Sequence, residues 1–182
     1  VLNTLNTRLD SETIAFMLKH AEAKMLIADT EFAGVVESAL AQTGARPVIV
    51  DIVDTEGPGG KRLGKKDYEA FIAAGDPDFE WQHPDDEWDA ISLNYTSGTT
   101  GNPKGVIYSH RAAILQTMTC SSFDFLPGHV EGVREVMMPM APLFHGNGWN
   151  MPFTAPYTGS KLVLPGRNYE PDKLYELLEG EK

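Results

Sequence analysis

The sequence predicts an α/β domain with a mostly parallel sheet and flanking helices, because short apolar runs alternate with amphipathic helical patterns along the chain. The first such unit is residues 25–50. An apolar run at 25–28 is followed by apolar positions at helical spacing over 31–41 and by a second apolar run at 48–50. This strand, helix, strand order predicts parallel pairing of the two strands.

The remaining elements follow from capping residues and from apolar spacing. Asp10 and Ser11 predict the start of a helix that continues to about Ala21. Ser109 is predicted to cap a helix that begins near His110. Further strands are predicted at residues 90–95, 105–109, 133–138 and 160–164, and further helices at residues 67–74 and from Pro171 onward.

Two polar connections interrupt this alternation. Residues 55–62 are polar and glycine-rich, so they are predicted to form a mobile surface loop. Residues 76–89 contain Trp81, Trp88 and many acids. We expect this second connection to be ordered on the surface, with both indole rings tucked inward.

Composition limits the classes of function. A chain of 182 residues with 42% hydrophobic and 23% charged residues is typical of a soluble globular domain. A formal net charge of −11 argues against nucleic acid and anionic membrane surfaces as partners. Cys120 is the only cysteine and lies in a helical pattern, which predicts a small buried side chain in a reducing compartment. Because no apolar run approaches the roughly 18 residues of a membrane span, the predicted location is the cytoplasm.

Residues 93–106 depart from an ordinary α/β pattern, because hydroxyls, glycines and one lysine are packed between two apolar runs. Glycines lack Cβ atoms and let backbone N–H groups approach an anion closely. Short hydroxyls add donors, and a lysine adds a compact positive charge. The predicted phosphate-binding residues are Thr96, Ser97, Gly98, Thr99, Thr100, Gly101 and Lys104.

A Walker A motif and a plain turn account less well for this loop. The Walker A pattern is excluded because Lys104 follows Pro103 and precedes Gly105, instead of standing between a glycine and a serine or threonine. A plain turn between two strands needs two to five residues, whereas this loop uses about ten. A phosphate cradle is therefore the favoured interpretation.

Residues 93–104 resemble the phosphate-loop signature of the adenylate-forming superfamily, which includes acyl-CoA synthetases, adenylation domains of nonribosomal peptide synthetases, and luciferases. Every position of that signature is filled. Residues 141–149, with the sequence APLFHGNGW, resemble the family's next motif at the expected distance downstream. The residues around both motifs most resemble synthetases for short and medium acyl chains, including those acting on 3-methylmercaptopropionate.

The resemblance implies that ATP activates a carboxylic acid as an acyl-adenylate, which is then transferred to coenzyme A. The loop, with Lys104, would hold the β- and γ-phosphates, and Thr99 would contact Mg²⁺. His145 would border the nucleotide and the acyl carboxylate, and with Lys104 it is a predicted catalytic residue. Trp149 would line or gate the acyl pocket. Alternatively, Trp149 is a core aromatic beside Met151 and Phe153.

Several family parts are missing from the sequence: a Gly-Tyr-Gly-x-Thr-Glu-like motif, a Thr-Gly-Asp-like ribose clamp and a C-terminal catalytic lysine. The first residue is Val1 instead of Met. We therefore expect residues 1–182 to be a partial N-terminal AMP-binding domain, without the C-terminal domain and inactive alone. A nucleotide-binding module without catalysis and an adenylation domain that loads a carrier protein stay open as alternatives, as does a homodimer.

Overall fold

A computed structural model describes residues 1–96, 102–122, 134–166 and 169–181, with the side chain of Asn147 left out. The chain divides into two compact units. The first, here called the N-terminal unit, comprises Leu5–His83 and Tyr95–Val106. The second, the C-terminal unit, comprises Val1–Thr4, Pro84–Asn94 and Ile107–Lys182.

The N-terminal unit contains a three-stranded parallel sheet of order β1-β2-β3. Its strands are β1 (Met25–Asp29), β2 (Val48–Ile52) and β3 (Lys66–Asp67). Its helices are α1 (Ser11–His20), α2 (Ala33–Thr43) and α3 (Tyr68–Ala73), with a 3₁₀ turn (Thr30–Phe32) before α2. Met25 pairs with Val48 and Ile27 with Val50, so the predicted parallel β-α-β unit is confirmed.

The core of this unit joins the two long helices to β1. Asp10 caps α1 as predicted, since its carboxylate accepts the Thr13 N–H at 2.8 Å, and this backbone hydrogen bond lowers the pKa of Asp10. The buried cluster consists of Ile14, Ala15, Leu18, Leu26, Val36 and Ala39. Full burial of a leucine, isoleucine or valine side chain stabilises a fold by about 1.5–3 kcal/mol.

The polar segment after β2 lies on the surface, as predicted, but its far end is packed against the strand. Asp51 is 2% exposed, and its carboxylate accepts the N–H groups of Leu63 at 3.0 Å and Gly64 at 2.9 Å. A Cβ on Gly64 would lie 2.3 Å from the carbonyl oxygen of Ile49, so only glycine fits this close approach. A buried carboxylate thus fixes the two residues that directly follow the segment predicted to be mobile, residues 55–62.

Two strands, β4 (Ala90–Thr96) and β5 (Lys104–Ser109), pair in a two-stranded sheet and carry the chain through both units. Ser109 caps the following helix as predicted, because its hydroxyl accepts the Ala112 N–H at 3.1 Å. The C-terminal unit also contains α4 (His110–Cys120), β6 (Val136–Met137), the single turn α5 (Gly146–Trp149), α6 (Met151–Thr158), β7 (Lys161–Leu162) and α7 (Pro171–Gly180). Cys120 ends α4 and is half-buried.

The α/β class and the parallel pairing are confirmed, but the described strands form three small sheets of three, two and two strands. The strands predicted at residues 133–138 and 160–164 reduce to β6 and β7, which pair in parallel over two residues each. Pro139 and Pro165 follow these strands closely. Because proline has no N–H to donate to a ladder, both strands stop early.

The prediction that the two tryptophans tuck inward is wrong. Trp81 is 86% exposed and Trp88 is 67% exposed. The guanidinium of Arg111 lies 5.5 Å from the centre of the Trp88 ring and pairs with Glu87 at 2.7 Å. The residues around the two tryptophans are mainly acids and prolines, so they do not form the periodic apolar face that would place the rings against a core.

Candidate functional site

The predicted phosphate-binding loop is described at its two ends. Thr96 is the last residue of β4 and Lys104 is the first residue of β5, and both are exposed. Both also belong to the N-terminal unit. The remaining predicted loop residues, Ser97, Gly98, Thr99, Thr100 and Gly101, lie outside the described residues. The structure therefore brings the first hydroxyl and the lysine of the predicted cradle to the ends of two paired strands.

Backbone contacts anchor β4 upstream of the loop. The Leu2 N–H donates to the carbonyl of Ile91 at 2.9 Å, and the Leu93 N–H donates to the carbonyl of Leu2 at the same distance. Asn94 is buried, and its amide oxygen accepts the Thr4 hydroxyl at 3.0 Å. These bonds hold the strand that leads into the loop, which is the rigid support that an anion-binding loop needs.

A ring cluster lies at the end of β4 and was not predicted. The Tyr95 hydroxyl oxygen is 2.7 Å from His20 Nδ1, and the Phe16 ring lies against both side chains. Burial raises the pKa of Tyr95 further above neutral pH, where a tyrosine hydroxyl is already protonated. The sequence pattern indicated an ordinary surface histidine at position 20, because no motif links it to a tyrosine 75 residues away.

The second motif forms an ordered turn in the C-terminal unit. The His145 N–H donates to the Pro142 carbonyl at 2.9 Å, and the His145 carbonyl accepts the N–H groups of Gly148 and Trp149, also at 2.9 Å. The side chain of His145 is exposed. His145 is thus followed by a single helical turn, α5, which these backbone hydrogen bonds close.

Close packing explains why the turn contains Gly148. A Cβ at this position would lie 2.5 Å from the carbonyl oxygens of both Ala141 and Pro142. Trp149 follows and is only 9% exposed, and its ring centre lies 5.6 Å from that of Phe153. Burial and a ring contact of this kind are expected of a core aromatic. Trp149 therefore has a packing role, whether or not it also contacts a substrate.

The described part of the chain offers no group of three histidine, cysteine, aspartate or glutamate side chains that could hold a metal ion. In the same residues, no helix is long and apolar enough to cross a membrane. Thr99, the predicted contact to magnesium, is not among them. Of the predicted site residues, Thr96 and Lys104 lie in one unit, and His145 and Trp149 lie in the other.

Comparisons with known proteins agree with both motifs. The chain is 40% identical to the 3-methylmercaptopropionyl-CoA ligase of Ruegeria pomeroyi, over 98% of this chain and 33% of that protein. It is 38% identical to the medium-chain-fatty-acid–CoA ligase of Ectopseudomonas oleovorans, over 100% of this chain and 33% of that protein. The chain thus spans about a third of the length of the curated relatives it matches.

Solved structures share the fold of this chain. The anthranilate CoA ligase AuaEII in complex with anthranoyl-AMP superposes with a TM-score of 0.71 at 27% identity, over 90% of this chain and 30% of that one. The luciferase-like enzyme of Zophobas morio, at 20% identity, shares the fold with a TM-score of 0.73, over 97% of this chain and 38% of that one. The AMP-binding enzyme family matches residues 1–182. The chain therefore belongs to the AMP-binding enzyme family.

Proposed function

We propose that this chain forms the phosphate-binding part of an AMP-forming acyl-CoA ligase that acts on a short- or medium-chain carboxylic acid. The observation on which this rests is the loop of residues 96–104, which leaves β4 at the exposed Thr96 and returns to β5 at the exposed Lys104. The names of the curated relatives support the acyl-CoA ligase assignment. In this proposal residues 1–182 are part of the N-terminal adenylation domain, and a C-terminal domain completes the enzyme.

The reaction has two steps. A carboxylate oxygen of the acid attacks the α-phosphorus of ATP, the bond from that phosphorus to the bridging oxygen breaks, and pyrophosphate leaves with the electron pair. The sulfur of coenzyme A then attacks the acyl carbon, its proton passes to solvent, and AMP leaves. Attack of one anion on another needs positioning and neutralisation of charge, which preorganised donors supply.

The loop would meet this need through donors to the leaving group. The hydroxyl of Thr96, the hydroxyls and N–H groups of residues 97–101 and the ammonium of Lys104 would hold the β- and γ-phosphates.

Magnesium fits this set of donors. Mg²⁺ commonly takes one or two protein oxygens together with substrate phosphates and water, so it needs no cluster of carboxylates. We propose the hydroxyl of Thr99 as the protein contact. The bound ion would offset the charge of the phosphates as pyrophosphate leaves.

His145 and Trp149 are the proposed contacts to the acid. His145 directly precedes α5 and its side chain is exposed, and we propose that its imidazole borders the carboxylate of the acid and the nucleotide. Trp149 is buried beside Phe153 and would form a fixed wall of the acyl pocket. The unpaired Cys120 supports a reducing, cytoplasmic location for the whole protein.

Pyrophosphate exchange tests the proposal. The full-length protein is expected to incorporate labelled pyrophosphate into ATP only when an acid is supplied, most efficiently with short and medium chains. Coenzyme A should then convert the intermediate to a thioester, whereas dependence on a carrier protein would favour a carrier-loading adenylation domain. The 182-residue chain by itself is expected to give no exchange. Full-length protein that binds ATP but gives no exchange with any acid would contradict the proposal.

A further inference from the structure

Three aromatic rings meet where β4 ends, all within the N-terminal unit. The Phe16 and His20 rings stack with centres 5.3 Å apart and an angle of 18° between their planes. The Tyr95 ring meets both edgewise, 6.5 Å from Phe16 and 5.8 Å from His20. The 2.7 Å hydrogen bond between His20 Nδ1 and the Tyr95 hydroxyl oxygen connects α1 to β4. His20 is thus oriented by a stacked ring and by a hydrogen bond.

The helix that presents these rings is a rigid support. Phe16 and His20 are four residues apart and so lie on one face of α1. Ile14 and Leu18 are each two residues from Phe16, about 200° around the helix, and are buried in the core of the unit. The core therefore fixes α1 from one side while its other face holds the tyrosine.

The tyrosine lies directly before the proposed ATP-binding loop. Tyr95 is the next-to-last residue of β4, and Thr96, the first proposed phosphate contact, is the last. Tyr95 points to the opposite face of the strand from the buried Asn94, because successive side chains alternate. A contact that fixes the Tyr95 side chain therefore also restrains the backbone at Thr96, the first proposed phosphate donor of the loop.

We propose that His20 is a positioning residue for the triphosphate of ATP, acting through the Tyr95 hydroxyl on the backbone at Thr96. This inference rests on the proposed function. His20 does not touch the nucleotide; it keeps the end of β4 in the position from which Thr96 donates. Short hydroxyls and N–H groups reach phosphate only over about 3 Å, so a small displacement of the strand end weakens the contact.

A tyrosine hydroxyl is protonated throughout the neutral range, so it remains a hydrogen-bonding partner of the imidazole. Either tautomer of His20 keeps the bond. With Nδ1 unprotonated the phenol donates, and with Nδ1 protonated the imidazole donates.

Steady-state pyrophosphate exchange with the full-length protein tests the proposal. Tyr95→Phe removes only the hydroxyl, and His20→Phe keeps the stack on Phe16 but loses the hydrogen bond. Each change is expected to raise the KM for ATP by about three- to tenfold, the loss typical of one neutral hydrogen bond. The KM for the acid and the thermal midpoint should stay near wild-type values.

Three further variants separate positioning from packing. His20→Asn places an amide where Nδ1 stood and should recover most of the affinity for ATP. The double variant His20→Phe/Tyr95→Phe should be no worse than either single change, because both remove the same bond. His83→Phe and Tyr175→Phe, at exposed positions elsewhere in the chain, should leave every parameter unchanged.

An unchanged KM for ATP in both single variants would overturn the positioning role, as would strictly additive losses in the double variant. A lower thermal midpoint with an unchanged KM would also overturn it, because the pair would then serve stability alone. Failure of the proposed function looks different, since the wild-type protein itself would then give no acid-dependent exchange.

Discussion

The two segments predicted to bind substrate are built in different ways. The loop of residues 96–104 begins and ends with exposed side chains, Thr96 and Lys104, at the ends of two strands. The segment of residues 141–149 ends in a closed helical turn, α5, in which Gly148 and Trp149 are buried. At Thr96 and Lys104 a side chain can therefore be changed with little loss of packing. In the second segment, any substrate contact shares its residues with the fold, so activity and stability have to be measured together.

The largest effect is expected at Trp149. Trp149→Ala removes a buried indole and its contact with Phe153, and should lower stability by about 3–5 kcal/mol, seen as a lower thermal midpoint of the full-length protein. Trp81→Ala, at an 86% exposed ring, is the matched control and should change stability by no more than about 0.5 kcal/mol.

The preference for acids of different length gives a second test of Trp149. Trp149→Phe keeps an aromatic ring next to Phe153 and should fold. If Trp149 is a wall of the acyl pocket, this variant should shift the ratio of kcat/KM between short and longer acids by about 1–3 kcal/mol per changed apolar contact. An unaltered ratio would leave Trp149 with a packing role only.

The next largest effect is expected at Gly148. The added Cβ of Gly148→Ala would overlap two backbone carbonyl oxygens at 2.5 Å, and overpacking of this kind costs about 1–3 kcal/mol. Gly146→Ala is a control two residues away, since a Cβ there meets nothing within 4 Å. Thermal midpoints compare the two variants. Equal midpoints would contradict the close packing of the turn.

A change at Lys104 should affect chemistry and not stability. Lys104→Ala is expected to lower kcat for adenylation by about ten- to a hundredfold, the value of one charge-assisted contact made in the transition state. The KM for ATP should change less, and the thermal midpoint should stay within error because the side chain is exposed. Lys65→Ala, at another exposed lysine of the same unit, controls for loss of charge. An unchanged kcat/KM would remove Lys104 from the site.

The smallest effect is expected at Thr99. Thr99→Val keeps the shape of the side chain and loses the hydroxyl, so the Mg²⁺ concentration needed for half-maximal exchange should rise about two- to tenfold, as expected for one lost contact. Thr119→Val is a control at an exposed threonine of α4, whose hydroxyl bonds to the Leu115 carbonyl. An unchanged magnesium requirement would exclude Thr99 as the ion's contact.

Local sequence was sufficient for most elements of the N-terminal unit and for the family. Asp10 and Ser109 cap the helices they were predicted to cap, and the β-α-β unit pairs in parallel, because caps and apolar spacing act within a few residues. The loop signature of residues 93–104 and the motif of residues 141–149 were likewise enough to predict the AMP-binding family.

Tertiary structure decided the features that depend on residues far apart in the chain. Asp51 anchors the end of a loop more than ten residues downstream, and His20 meets Tyr95 across 75 positions. Such contacts form only after separate elements pack, so no pattern within either segment encodes them. Periodicity and caps therefore determined which elements form in this protein, and packing determined which of their side chains meet.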